Sequence, residues 1–473
     1  MPRQLSPGRC GRRTQTTNYL ESNVRQHRTP VLGRRKVRRP STALIAPNAS
    51  PPTPPGGVPS SPTEEVGSAL LAVELALTGD GPWSRALATA KAARTGPDTG
   101  AGSSLFRGVP AAAFVLDAAA ADGFLQVPDV AAVGEARRAQ IALDAELVAI
   151  VEQRLAAAAA RAAAGQPPTS TEIGLTDGIL GLGVVLLRRA PGSPLMERVI
   201  DYVASLTRPV LVDGVEVPGW YVRHDPAPGE PTPGGHLSFT MADGAAGLLA
   251  FLSTCVRAGY SRESLRAPIQ DLVDWFTAWR QEPSPEWPDS VWWPRWVTPA
   301  EVQAGRLAPG RGPGEALPSW SRMAGMARAV QMGARVLAEG PHPRVDEARK
   351  AVKRAEEAML ACLTDRQMRR LTGPGLWDGL AGLFQTGHRA GADAKGPMEI
   401  RLKHRMSAVG DALRSQAAAL PTDAPGDLWS GEAGVRLAAQ TLRRGTAPTS
   451  RWDACLLITG NLRPVDPRNT PWS

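Results

Sequence analysis

Cysteine is scarce in this 473-residue chain, and the four that occur, Cys10, Cys255, Cys362 and Cys455, stand far apart. None forms a Cys-x-x-Cys pair or sits beside a histidine at metal-ligand spacing, so no zinc site of that kind is expected. In a chain of this size they read as buried thiols of a reduced compartment, which points to the cytoplasm. No apolar stretch stands behind the basic N-terminus, so a secretory signal is not expected. No uncharged apolar run approaches the ~20 residues that a membrane span needs. The globular part also lacks excess charge of either sign. The net charge is +9, yet residues 1–39 hold eleven Lys or Arg against one acid, Glu21, and the rest is close to neutral. By charge count there is no footprint for DNA or RNA on the body of the protein, and nucleic acid is not an expected partner.

The tail carries GRRKVRRP at 33–40 and then a Pro/Ser/Thr-rich stretch to Pro62. Such a composition buries too little apolar area to order itself. Residues 1–63 are therefore expected to be an unstructured extension, or translated sequence upstream of the true start, and 64–473 the folded domain. A basic arm for anionic partners is the alternative.

What the chain does have is a phrase written six times: a small or polar residue, usually glycine, a second small residue three positions on, then an apolar helical run. The copies are SLFRGVPAAAFVL from Ser104, GLTDGILGLGVVLL from Gly174, FTMADGAAGLLAFL from Phe239, SWSRMAGMARAV from Ser319, GLWDGLAGLFQ from Gly375 and LWSGEAGVRLAAQ from Leu428. Self-similarity at roughly 50–80 residues marks an array of like units. In each unit the glycine permits a tight turn, and the helix after it is expected to start with its free amides pointing outward.

From about Glu64 the pattern is helical, with Ala- and Leu-rich segments such as 146–164 and little strand-like alternation. Room for a second helix lies between phrases, as at 196–206 and 264–279. Six glycine-led helices with antiparallel partners predict an all-α, (α/α)6 toroid of six inner and six outer helices, because closure buries the face that a lone pair leaves exposed. Two excursions interrupt the array. The segment 210–235 predicts a short hairpin turning at Asp213-Gly214. The segment 281–318 is rich in Trp and Pro.

These residues resemble the lanthionine synthetase C-like cyclases. The stretch DSVWWPRWVTPAEV at 289–302 followed by PSWSRMAGMARAVQMGARVL resembles that family's Trp-Pro-Trp segment and Trp-Cys-Tyr-Gly helix start. GPGLWDGLAGLFQ resembles its Leu-Cys-His-Gly-x-Ala-Gly phrase, and FTMADGAAGLLAFLS its Ala-His-Gly phrase. LWSGEAGVRLAAQTL with RWDACLLI at 451–458 resembles its C-terminal signature. The resemblance spans about residues 64–460. It implies a toroid that binds Zn²⁺ through two cysteines and one histidine. There the metal activates cysteine thiols of a precursor peptide for addition to dehydroalanine or dehydrobutyrine, with a histidine as general acid. The chemistry needs such ligands, because a thiol of pKa about 8.5 is mostly protonated at neutral pH.

In this chain the carry-over fails residue by residue. The first zinc cysteine falls on Trp320, with Ser321 at the tyrosine after it. The second falls on Trp377, the ligand histidine on Asp378 and the Ala-His-Gly histidine on Asp243. The family's acid falls on Gly174, and its arginine near Ala316. No thiol remains in any phrase, so no cofactor is expected.

Asp177, Asp243 and Asp378 each precede a phrase glycine and are expected at one cavity mouth. They read as ordinary helix caps, or as tentative catalytic carboxylates. Trp320, Ser321 and Trp377 are candidates for the wall of a peptide cavity, or the tryptophans plug it as core. His236, His342, His388 and His404 are scattered and suggest no ligand set. Three functional readings remain open. The first is a zinc-less homologue in lanthipeptide-type biosynthesis that binds a modified precursor peptide or a partner dehydratase. The second is a thioether-forming cyclase with a non-zinc mechanism, and the third a carboxylate hydrolase on the same toroid.

Overall fold

The computed structural model describes residues 62–92, 100, 102–120, 130–227, 229–339, 343–421 and 426–459. The basic segment, Cys10 and His342 lie outside them. The helices are α1 (Pro62–Leu77), α2 (Trp83–Ala92), α3 (Gly108–Ala119), α4 (Val130–Ala163), α5 (Ser170–Ile173), α6 (Ile179–Arg189), α7 (Pro194–Ser205), α8 (Ala245–Arg257), α9 (Arg262–Ala278), α10 (Pro299–Ala304), α11 (Met323–Ala338), α12 (Val345–Cys362), α13 (Asp365–Met368), α14 (Leu380–Asp393), α15 (Pro397–Ala419) and α16 (Glu432–Arg444). Each of the six phrases leads directly into one of α3, α6, α8, α11, α14 and α16. Those helices pack in sequence against one another, and α1 closes the ring by packing on both α16 and α3. Helices α4, α7, α9, α12 and α15 pack outside them. Helix α8 is apolar on every side and buried from Ala245 to Val256, as an inner position requires. The outer α12 instead buries one stripe and turns Lys350 and Lys353 outward. Among the described residues, no helix is long and apolar enough to cross a membrane.

The phrase has a steric meaning. A Cβ on Gly382 would stand 1.9 Å from the Leu376 carbonyl oxygen, six residues upstream, and the same carbonyl approach recurs at Gly181, Gly247 and Gly434. The second small residue is thus required because the chain doubles back onto the first turn of its own helix. The doubling back also overturns the expectation of outward-pointing amides. Leu380, Ala381 and Gly382 donate to the carbonyls of Gly373, Pro374 and Gly375 at 3.0–3.2 Å, and Gly247 N–H donates to Thr240 at 3.3 Å. The orphan donors of these helix starts are satisfied by the turn itself.

Successive turns are also joined to each other. Leu175 N–H donates to Ala242 O at 2.6 Å, Met241 to Ser321 at 3.1 Å and Ser321 to Trp377 at 3.3 Å. Leu376 and Trp377 then donate to Trp429 O at 2.6 and 3.2 Å, and Leu428 to Thr63 O at 3.3 Å. A run of backbone hydrogen bonds therefore links the last five phrases and the start of α1 at one end of the barrel.

The axis of the barrel is filled rather than hollow. Residues 452–458, which begin with a 3₁₀ turn at Trp452–Leu456, are buried throughout. Asp453 accepts from Arg389 and Gln385 of α14 at 2.6–2.8 Å. Arg188 of α6 donates to the Ser450 and Arg451 carbonyls, Arg328 of α11 to Ile458 O, and Glu74 of α1 receives the Thr449 and Ser450 amides. Four inner helices thus grip the C-terminal segment, and the Trp-Asp-x-x-Leu-Leu signature is its anchor.

The 210–235 excursion holds the expected hairpin: β1 (Pro209–Val212) pairs antiparallel with β2 (Val215–Pro218). Asp213 and Gly214 both have positive φ, as a type I′ turn requires. A second pair, β3 (Leu237–Ser238) with β4 (Trp296–Val297), ties this excursion to the Trp-rich one. Trp287, Trp292 and Trp293 of that second excursion are buried cladding. Replacing Gly382 by alanine is expected to cost about 1–3 kcal/mol through overpacking against Leu376, read as a lower urea midpoint with an unchanged slope.

Candidate functional site

A cavity of about 260 Å³ opens among the glycine turns. Its wall includes Asp177, His236, Asp243, Arg295, Ser321 and Trp377, with Arg322 and Trp296 beside them. The turns place them: Asp177, Asp243 and Ser321 lie immediately before α6, α8 and α11, while β3–β4 pairing brings His236 and Arg295 together.

Asp243 and Asp378 are not caps. The residues at the helix starts are Gly244 and Gly379, and neither aspartate hydrogen-bonds to its own helix. Asp243 Oδ1 instead accepts from the Ser238 and Thr240 hydroxyls, and Asp378 Oδ1 from those of Ser319 (2.6 Å) and Ser321. The cap reading fails because the backbone of the preceding turn already occupies the first-turn amides. Asp177 is exposed and accepts from Thr176 Oγ1 at 2.9 Å. Asp243 and Asp177 share the cavity, whereas Asp378 is set back from its wall and fixes Ser321.

The tryptophans divide. Trp320 is fully buried, stacks on Trp429 with ring centres 5.2 Å apart, and donates its indole N–H to Leu456 O at 2.9 Å. It is core and not cavity wall, which corrects one of the two expectations for it. Trp377 meets both rings edge-on at 5.1–5.3 Å and is half-buried, with a face on the cavity. Ser321 and Trp377 both line the cavity.

His236 is the residue that sequence reasoning missed. It is 1% exposed, its Nδ1 lies 2.9 Å from the His224 carbonyl oxygen, and its Nε2 has no hydrogen-bond partner among the described residues. A carbonyl oxygen only accepts, so Nδ1 carries the proton and the neutral ring keeps a lone pair on Nε2. Burial holds the imidazole below its usual pKa despite the Asp243 charge nearby. Burial likewise depresses Arg322, whose Nη1 donates to the Glu315 carbonyl at 2.9 Å, and Arg295 pairs with Glu230 at 2.6 Å. No spacing rule marks His236, because its neighbours come from the distant β4 and from the turns before α6 and α8.

The donors at the aligned ligand positions do not suit zinc. An indole N–H engaged with a carbonyl has no lone pair to give, and Asp378 alone is a poor substitute for two thiolates and an imidazole. The described thiols, Cys255, Cys362 and Cys455, are buried away from the turns, and burial pushes each of them far up. Among the described residues, no three His, Cys, Asp or Glu side chains are grouped to hold a metal ion. Converting Asp378 to asparagine is expected to cost about 1.5–3 kcal/mol by weakening charge-assisted bonds to Ser319 and Ser321, measured by chemical denaturation.

No family model matches this chain, and no curated protein matches it. Among solved structures, nisin cyclase superimposes with a TM-score of 0.65 at 15% identity, over 83% of this chain and 90% of that one. The ring, its turns and its closing segment therefore share the helical toroid fold of nisin cyclase.

Proposed function

We propose that this protein acts in lanthipeptide-type biosynthesis as a zinc-free homologue that binds a modified precursor peptide in the cavity among its glycine turns. The observation that carries the reading is the Trp320–Trp377–Trp429 cluster. It packs indoles at Trp320 and Trp377, where the family resemblance would put thiolate ligands, while leaving one face of Trp377 on an open cavity. A peptide with small, flat dehydrated residues suits an aromatic wall flanked by hydroxyls and two arginines. The likeness to nisin cyclase supports a peptide as ligand, and a dehydratase is the further partner this reading implies. Three buried thiols fit work in the cytoplasm.

The hydrolase reading draws less support. It needs two free carboxylates facing each other across a substrate, whereas Asp243 and Asp378 are each shared between two hydroxyls.

Protein prepared in metal-free buffer is expected to carry only traces of zinc by mass spectrometry, and stoichiometric zinc rejects the reading. A synthetic peptide containing dehydroalanine is expected to bind the full chain by calorimetry. Trp377→Ala is expected to weaken that binding roughly 10-fold or more, the range of an aromatic anchor.

A further inference from the structure

Arg322 is a cation on the cavity wall with no counter-charge in contact. It is half-buried just before α11, and its Nη1 donates to the Glu315 carbonyl oxygen at 2.9 Å. No carboxylate among the described residues forms an ion pair with it, whereas Arg295 on the same wall is paired with Glu230 at 2.6 Å. Burial lowers its pKa, and Asp378, Glu230 and Glu315 oppose this through charge alone. Withdrawing a cation from water is costly, so buried charges in folded proteins are paired. The remaining donors are not sealed in. Nε and Nη2 have no partner among the described residues, yet both keep some accessible surface, so a ligand can reach them.

The neighbouring turns offer the opposite chemistry. Asp243 takes its two hydroxyls on Oδ1, and Asp177 takes Thr176 on Oδ2. The second oxygen of each has no partner among the described residues; Asp243 Oδ2 keeps accessible surface and Asp177 is exposed. The amide bonds from Leu175 to Ala242 and from Met241 to Ser321 set these turns side by side, in the order α6, α8, α11. One cavity thus has free acceptors on two turns and a free guanidinium on the next. At about 260 Å³ it is smaller than the ~300–1,000 Å³ typical of drug-sized ligands, so it holds a residue or two and not a length of peptide.

We propose that this cavity selects one carboxylate-bearing residue of the bound peptide, seating the carboxylate on the Arg322 guanidinium and turning that residue's N–H donors toward Asp177 and Asp243. The inference rests on the peptide-binding reading given above and adds the charge of the group that is read. A guanidinium fork matches a planar carboxylate through paired N–H···O bonds. A dianion such as a phosphoryl group fits less well, because Asp177 and Asp243 repel its second charge from the same wall. A neutral residue leaves Arg322 without a counter-charge. The carboxylate comes from an aspartate or glutamate side chain or from the peptide's C-terminus, since both present the same pair of oxygens.

The test uses the full chain and a set of synthetic dehydroalanine peptides that differ only in charge. The parent has one internal aspartate and a free C-terminus; the others have asparagine there, an amidated terminus, or both changes. By calorimetry the doubly neutral peptide is expected to bind about 10-fold or more weakly than the parent. The single change that reproduces this loss identifies the source of the carboxylate. Arg322→Gln is expected to bring the parent down to the neutral peptide's Kd while leaving the neutral peptide's own Kd unchanged. That cycle separates pairing from a folding defect, which weakens every peptide alike. Arg322→Lys is expected to recover only part of the difference, since an ammonium lacks the fork. Equal affinity of wild-type protein for charged and neutral peptides overturns the carboxylate site and leaves peptide binding intact, and this arm needs no substitution in the protein. Tighter binding of a phosphoserine peptide than of the aspartate parent overturns the choice of a monoanion. Failure of every peptide to bind overturns the peptide reading as well.

Discussion

The structure depends on the backbone hydrogen bonds that join one glycine turn to the next. Each turn donates an amide to its neighbour: Leu175 to Ala242, Met241 to Ser321, Ser321 to Trp377, Leu376 to Trp429 and Leu428 to Thr63. Such bonds are indifferent to side chains, so they persist while the residues of the turns change. They demand that two strands of backbone approach closely, and that demand excludes a Cβ at Gly375, where it would strike the Trp429 carbonyl oxygen of the neighbouring turn. The repeated phrase records this constraint.

The turns and the C-terminal segment work from opposite ends of the barrel. Arg188, Arg389 and Glu74 lie near the C-terminal ends of α6, α14 and α1, and all three bind residues 449–453. Trp320, before the start of α11, meets the same segment at Leu456. The axis is thereby filled from the far end up to the indole cluster, and a cavity remains among the turns. This confinement gives the cavity its chemistry: a buried histidine, hydroxyls held by carboxylates, and two arginines partly withdrawn from water. In such a setting charge interactions are stronger than at an open surface.

Several features were legible in the chain alone. The six phrases located every glycine-led inner helix, the Asp213-Gly214 pair marked the hairpin, and the order of phrases pointed to the toroid. The positions of Trp320, Trp377, Asp243 and Asp378 were legible too, because they sit at fixed offsets from phrase glycines. Their partners were not. A carboxylate before a glycine looks like a cap in sequence, and only the doubled-back turn, which fills the first-turn amides, sends Asp243 to Ser238 and Thr240 and Asp378 to Ser319 and Ser321. His236 gave no sign at all, since its setting comes from strand pairing with Trp296–Val297, some sixty residues on.

The sequence by itself determined the repeat, the helices and the absence of thiolates at the turns, because local propensity and residue identity are properties of short stretches. Tertiary structure alone decided which side of each turn faces the cavity, what fills the barrel axis, and that His236 Nε2 is left without a partner among the described residues. Those outcomes depend on contacts between segments far apart in the chain. No periodicity encodes them, and closure of the ring is the physical event that brings them together.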